Sequence, residues 1–157
     1  MEKTNVMRIL DSKKIKYNSY HIDTETALSG IEAARSLGVN EANVYKTLVC
    51  DSKSGEHYVF IIPVQKELDL KKAASSCKEK SISMLKAKEL LPLTGYVHGG
   101  CSPIGMKKFF KTTLDISAKD RDLIYISAGK IGYHVELAPT ELEKVIRVAY
   151  ADVTVDE

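Results

Sequence analysis

Residues 44–64 read VYKTLVCDSKSGEHYVFIIPV. Two apolar runs, VYKTLVCD and HYVFIIPV, flank SKSGE, a short cluster of small polar residues with one glycine. Apolar, β-branched and aromatic residues on either side of such a turn signal predict a β-hairpin, roughly 44–50 and 57–63. A connection this short closes an antiparallel pair but cannot hold the crossover that a parallel pair needs. The pattern returns at DLIYISAG and YHVELA, joined through AGKIGY, and TTLDIS and Tyr17 to Ile22 read as further strands. Hairpins interspersed with helices predict an α+β fold rather than a regular βαβ repeat. The expected architecture is one domain over residues 1–157, with a curled, barrel-like mixed sheet of about six or seven strands surrounded by helices.

Helical patterns fill the gaps. Asn5 to Lys14 carries Val6, Ile9 and Leu10 on one side at i, i+3, i+4 spacing. In SGIEAARSLGVN, Ser29 and Glu32 have capping-box spacing and Gly38 supplies a stop, so Ile31, Ala34 and Leu37 should face the core. Leu70 to Cys77 and Lys86 to Leu91 are shorter candidates. Ser102 and Pro103 could open one helical turn, which Gly105 would end. Thr140 and Glu143 repeat the capping-box spacing and predict a last helix through Val148.

Composition narrows the classes. Hydrophobic residues make up 44%, enough for a packed core. Three cysteines (Cys50, Cys77 and Cys101) without C-x-x-C spacing argue against a disulfide framework or a zinc site and fit a reducing compartment. MEKTNVMRIL has no signal-peptide core, and the uncharged run from Leu90 to Met106 is too broken by Gly and Pro to span a membrane. The expected location is the cytoplasm. A net charge of +2 does not demand a nucleic-acid partner, although Lys13, Lys14 and Lys16, then Lys71 and Lys72, then Lys107, Lys108 and Lys111 form clusters that could touch phosphates. No cofactor or metal is expected: the chain has no P-loop or dinucleotide fingerprint, and His21, His57, His98 and His134 lack metal-ligand spacing.

Three features could carry chemistry. Lys46 interrupts an apolar strand, where an ammonium is costly unless its head reaches water or a partner. It is either a snorkelling surface lysine or a cation placed in a cleft for a phosphate or carbonyl. The stretch VHGGCSPIGMKK offers Cys101, with His98 three residues before it, as a thiol nucleophile or as a small loop filler. Gly99 and Gly100 could form an ordinary turn or aim successive amides at an anion or a polarised carbonyl oxygen. Tyr20 and Glu136 sit in predicted strands and could reach a cleft.

With Tyr20, SGIEAARSLGV, Lys46 in VYKTLV, GGCSPIG and SAGKIGYHVELAP in this order, the chain resembles the YbaK/EbsC family over roughly residues 3–150. These are freestanding relatives of the editing insertion domain of bacterial prolyl-tRNA synthetases. The resemblance implies an aminoacyl-tRNA deacylase that clears Cys-tRNA(Pro) in trans, and Cys-tRNA(Cys) more loosely, with prolyl-tRNA synthetase as a possible delivery partner. It implies that Lys46 holds the tRNA 3′ end and that Tyr20 lies in the pocket. Gly99, Gly100, Cys101, Ser102 and Pro103 match a loop whose backbone lines the aminoacyl site, and Thr47 and Ser127 match pocket-side positions. Glu136 aligns where the cysteine-specific branch tends to have Asp, so Tyr20 and Glu136 are expected to hold the substrate amino group. Ser29 stands where an aromatic is common, which implies a more open wall. The position of Cys101 varies in the family, so the implied reaction uses the substrate's own thiol, which attacks the ester carbonyl and leaves as a cyclic thioester. Rival readings are a deacylase for another small amino acid (Ala or Ser), a non-catalytic tRNA- or nucleotide-binding module, and a Cys101–His98 thiol hydrolase.

Overall fold

The computed structural model of the chain describes residues 1–156. In chain order its main elements are α1 (Asn5–Ser12), β1 (Asn18–His21), α2 (Gly30–Leu37), β2 (Tyr45–Ser52), β3 (His57–Pro63), α3 (Leu70–Cys77), β4 (Ile82–Met84), α4 (Ala87–Thr94), β5 (Lys111–Asp115), β6 (Ile124–Ser127), β7 (Tyr133–Leu137), α5 (Pro139–Leu142) and β8 (Val148–Ala151). The strands form two sheets, ordered β1-β7-β6 and β4-β2-β3-β5-β8. The α+β class holds, but the expected single sheet of six or seven strands is two sheets of three and five. They touch through an isolated bridge, Val44 to Tyr125, and do not close into a barrel.

The 44–64 hairpin is the middle of the larger sheet. Its register runs Lys46↔Ile62, Thr47↔Ile61 and Cys50↔Tyr58. HYVFIIPV is apolar almost throughout because β3 is covered on both sides. Val59 and Ile61 join the main core with Val6, Met7 and Leu10 of α1 and Val135 and Leu137 of β7. Tyr58, Phe60 and Ile62 join a second core with Ala73, Ala74 and Cys77 of α3. α2 forms as its sequence dictates: Ser29 Oγ accepts from Glu32 N–H at 3.1 Å, Glu32 Oε1 accepts from Ser29 N–H at 3.0 Å, and Gly38 closes the helix at φ +70°.

β5 pairs parallel with β3 and with β8, so the larger sheet is mixed, as expected. Two local expectations change. The last helix is four residues long and has no side-chain cap. Pro139 takes its first turn, Glu143 accepts from the Tyr150 hydroxyl at 2.9 Å instead of capping, and Val148 to Ala151 become a strand on the edge of β5. Ser102 and Pro103 open no helix; Ser102 Oγ accepts from Ile104 N–H at 3.3 Å in a local turn.

Candidate active site

β4 lies beside β2 only at Cys50, Asp51 and Ser52. Val44 meets Tyr125 of β6 at one end, and Val49 C=O accepts from Leu85 N–H at 3.0 Å near the other. Between these points the outer edge of β2 has no strand beside it. Alternate residues of an antiparallel strand bond to alternate sides. Val64 N–H donates to Val44 C=O and Ser52 N–H to Glu56 C=O, so residues 44, 46, 48, 50 and 52 bond towards β3. Thr47 therefore turns its backbone N–H and C=O to the open edge.

A cavity of about 410 Å³ lies along this edge. Lys46, Thr47 and Leu48 line it from β2, and Ser127 and His134, cross-strand partners on β6 and β7, line it from the smaller sheet. The start of α2, the Met84–Leu90 stretch and the loop residues His98, Gly99 and Cys101 complete the wall. The volume falls in the range that takes a small ligand. Packing around the wall is tight. A Cβ on Gly30 would lie 2.2 Å from Val64 Cγ1, and one on Gly99, at φ +85°, would lie 2.4 Å from Ala27 Cβ.

Three polar groups on residues of the cavity wall lack partners among the described residues, whereas Ser127 Oγ accepts from Gly129 N–H at 3.2 Å. Lys46 is half-buried, and its ammonium makes no hydrogen bond or ion pair among the described residues. Burial pulls its pKa below the ordinary lysine value, and the charge of Glu67 opposes this only in part. The Thr47 hydroxyl and His134 Nδ1 are buried without partners. Buried polar atoms in folded proteins are almost always bonded, so two orphans on residues of one cavity wall stand out. Burial also pulls the His134 pKa below the usual histidine value, which favours the neutral ring.

Cys101 does not look like a nucleophile. Its side chain packs on the main core, and burial pushes the thiol up to about 12. His98 is exposed and makes no hydrogen bond to it among the described residues. A reactive thiol needs a lowered pKa, and this one moves the other way.

The glycine loop contributes less than its sequence suggested. Gly99 and Cys101 line the cavity, whereas Gly100, Ser102 and Pro103 do not and are buried behind it. Gly100 N–H donates to Val97 C=O at 3.0 Å and is already used. The amides of Gly99 and Cys101 remain without partners among the described residues. Tyr96 pins the far end of the loop by donating its hydroxyl to Ile104 C=O.

Tyr20 and Glu136 do meet, at 2.8 Å, but neither lines the cavity. Glu136 also accepts from Asn18 at 3.1 Å. Burial raises its pKa, but hydrogen bonds from Tyr125, Asn18 and Tyr20 outweigh this and hold it below the ordinary carboxylate value. The rings of Tyr20 and Tyr125 lie 5.7 Å apart and cluster with Ile31 and Leu37 of α2, and Glu136 lines a separate surface recess with Tyr125. The residue that β7 sends to the cavity is His134, two positions earlier. Strand alternation puts His134 and Glu136 on one face, a signal in YHVELA that could have pointed to His134. The Met84–Leu90 wall gave no such signal.

This fold and cavity place the chain among the editing domains. Residues 24–145 match the family model described as aminoacyl-tRNA editing domain, and the chain belongs to this family. It is also 41% identical, over 99% of its length and 96% of the other's, to an Enterococcus faecalis protein, EbsC, whose name offers it as a candidate Cys-tRNA(Pro)/Cys-tRNA(Cys) deacylase. Among solved structures, a hypothetical protein superposes with a TM-score of 0.89 at 25% identity, covering 97% of this chain and all of that one. A candidate trans-editing enzyme for prolyl-tRNA synthetase shares the fold with a TM-score of 0.82 at 22% identity, covering 99% of this chain and all of that one.

Proposed function

We propose that the chain, acting as one editing unit over residues 1–157, is a cytoplasmic deacylase that clears cysteine from mischarged Cys-tRNA(Pro), and from Cys-tRNA(Cys) less strictly. One observation carries the reading: the cavity holds a cation and unmet hydrogen-bonding groups but no activated nucleophile. Such a site suits a substrate that brings its own. The cysteinyl thiol attacks the ester carbonyl, a carbon–sulfur bond forms, and the carbon–oxygen bond to the ribose breaks. The thiol proton ends on the departing ribose oxygen, giving a cyclic thioester and free tRNA. The protein's part is to hold the reacting groups together, which in well-oriented intramolecular reactions is worth roughly 7–11 kcal/mol.

Lys46 holds the terminal nucleotide or its phosphate. Thr47 and Ser127 contact the aminoacyl end, and the free amides of Gly99 and Cys101 polarise the carbonyl. Tyr20 and Glu136 brace β1 against β7 instead of binding the amino group. Prolyl-tRNA synthetase, which would generate the substrate, is the proposed source of the tRNA.

The test is deacylation of Cys-, Ala- and Ser-tRNA(Pro) in parallel. Cysteine should be lost at least 100-fold faster than alanine, which has no thiol. Lys46→Ala should remove most of the activity and Cys101→Ala should keep it. Equal rates on Ala-tRNA(Pro) would refute substrate assistance, and loss of activity in Cys101→Ala with an intact fold would restore a protein thiol.

A further inference from the structure

We infer that the outer surface of the Met84–Val97 stretch carries the single-stranded 3′ end of the tRNA away from the cavity, Leu91 and Val97 packing against base faces while Lys86 and Lys88 meet phosphates. The inference rests on the deacylase reading above and adds to it a path for the polynucleotide.

An aminoacyl group in the cavity is esterified to the terminal ribose, so the nucleotides before it must cross one rim of the mouth. The rims differ in charge. Along residues 23–32, which lead into and open α2, Asp23, Glu25 and Glu32 are exposed and no Lys or Arg stands among them. The Ser29 N–H donates to Glu32 and holds that carboxyl below the ordinary value, in its charged form. On the smaller-sheet side, Lys130 in the turn between β6 and β7 is paired with Glu2 at 3.0 Å. A polyanion is repelled along the first of these rims and meets an already neutralised cation at the second.

The Met84–Val97 side is different. Lys86 and Lys88 are exposed and unpaired among the described residues, and Glu89 is the one carboxylate on α4. Lys107 reaches the far end of that helix, where its Nζ donates to Pro92 C=O at 3.4 Å. Apolar side chains stand among these cations: Met84 is 47% exposed, Leu91 52% and Val97 45%. Met84 itself lines the cavity, as do Leu90 and His98, the chain neighbours of Leu91 and Val97. The exposed apolar surface therefore runs on from the cavity wall. Unpaired bases offer broad apolar faces with a phosphate at every step, and interleaved apolar and cationic side chains fit that alternation. A protein partner could also cover these side chains, but a polynucleotide is the one occupant that the substrate itself brings to this mouth.

The test uses variants on the outer surface only. Leu91→Gln combined with Val97→Thr should raise KM for Cys-tRNA(Pro) about 3- to 10-fold, the loss expected when modest apolar contact area is removed. Both side chains already lie in water in the free protein, so kcat and melting temperature should not move. The 3′ cysteinyl ester of adenosine has no preceding nucleotides, and the double variant should cleave it at the wild-type rate. Phe109→Ser, at a side chain just as exposed (53%) but not part of the cavity lining, should match wild type on both substrates.

A second readout does not depend on turnover. A CCA trinucleotide ending in 3′-deoxy-3′-(L-cysteinylamino)adenosine, a stable amide, should shift the methyl resonances of Leu91 and Val97, and the same analogue without its two cytidines should not. If the bound trinucleotide leaves both methyl sets unmoved, or shifts residues 23–32 instead, the inference fails and the deacylase reading stands. The same holds if the double variant matches wild type on Cys-tRNA(Pro). A double variant that keeps its nucleic-acid responses but loses binding to prolyl-tRNA synthetase would make this face a protein interface and overturn the inference. Shifts at Leu91 and Val97 in a wild-type protein that deacylates no charged tRNA would sink the deacylase reading and keep the path.

Discussion

At the scale of single residues, function and stability pull apart. Lys46 keeps a half-buried ammonium without an ion pair, a state that folding tolerates and does not favour. Lys46→Met, which retains the stem, should raise the melting temperature by a few degrees at neutral pH while removing activity, as expected where an active site stores unfavourable interactions. The pH dependence has a definite sign. The folded-state pKa lies below the ordinary lysine value of 10.5, so the full cost is present wherever lysine is charged in both states. Between the lowered value and 10.5 the unfolded chain binds more protons, and stability contributed by this residue rises with pH. The melting-temperature gap between Lys46→Met and wild type should narrow as pH climbs towards 10.5. Thr47→Val follows the same logic: it removes an orphaned hydroxyl at nearly constant shape, so stability should hold while the deacylation rate drops several-fold.

At the scale of elements, the cavity owes its existence to short and interrupted pieces. β4 is three residues long and stops at Met84, which leaves the edge of β2 uncovered from Tyr45 to Leu48. The loop after α4 reaches that edge because Gly99 adopts φ +85° against Ala27, where a side chain does not fit. Gly99→Ala combines a disfavoured backbone with a 2.4 Å clash. It should cost about 1–3 kcal/mol and push the loop out of the cavity, so melting temperature and kcat/KM should fall together. Tyr20→Phe tests the opposite assignment. It removes one hydrogen bond to Glu136 outside the cavity and should cost about 1 kcal/mol of stability with KM unchanged. A raised KM in that variant would return Tyr20 to the substrate.

At the scale of the whole molecule, a net charge of +2 offers little long-range attraction for tRNA, so binding must rest on a few local cations. Lys86 and Lys88 are exposed on either side of Ala87 at the cavity wall, and Lys46 lies within it. About three phosphate contacts predict a modest slope, about −2 to −3 in log(kcat/KM) against log salt at low substrate. Reversing Lys86 and Lys88 to Glu should flatten that slope and raise KM while leaving kcat nearly intact. No helix among the described residues is long and apolar enough to cross a membrane.

Much of this molecule was legible without coordinates because the signals are local. The turn SKSGE and the alternation around it specify the central hairpin. Ser29, Glu32 and Gly38 specify both ends of α2, and Lys46 stands out as a charge inside an apolar strand. These readings depend on neighbours a few residues apart, where backbone sterics and capping bonds act. Two sheets in place of one, the parallel β8, and the cavity itself were not legible, since each depends on which distant segments lie side by side. The site shows the same division. Sequence pattern and resemblance nominated Lys46, Thr47 and the glycine loop. Only the tertiary arrangement decided that Glu136 lies outside the cavity lining while His134, two residues before it on the same face, borders it. Strand alternation fixes the face on which a side chain lies; the element packed on that face decides whether a ligand can reach it.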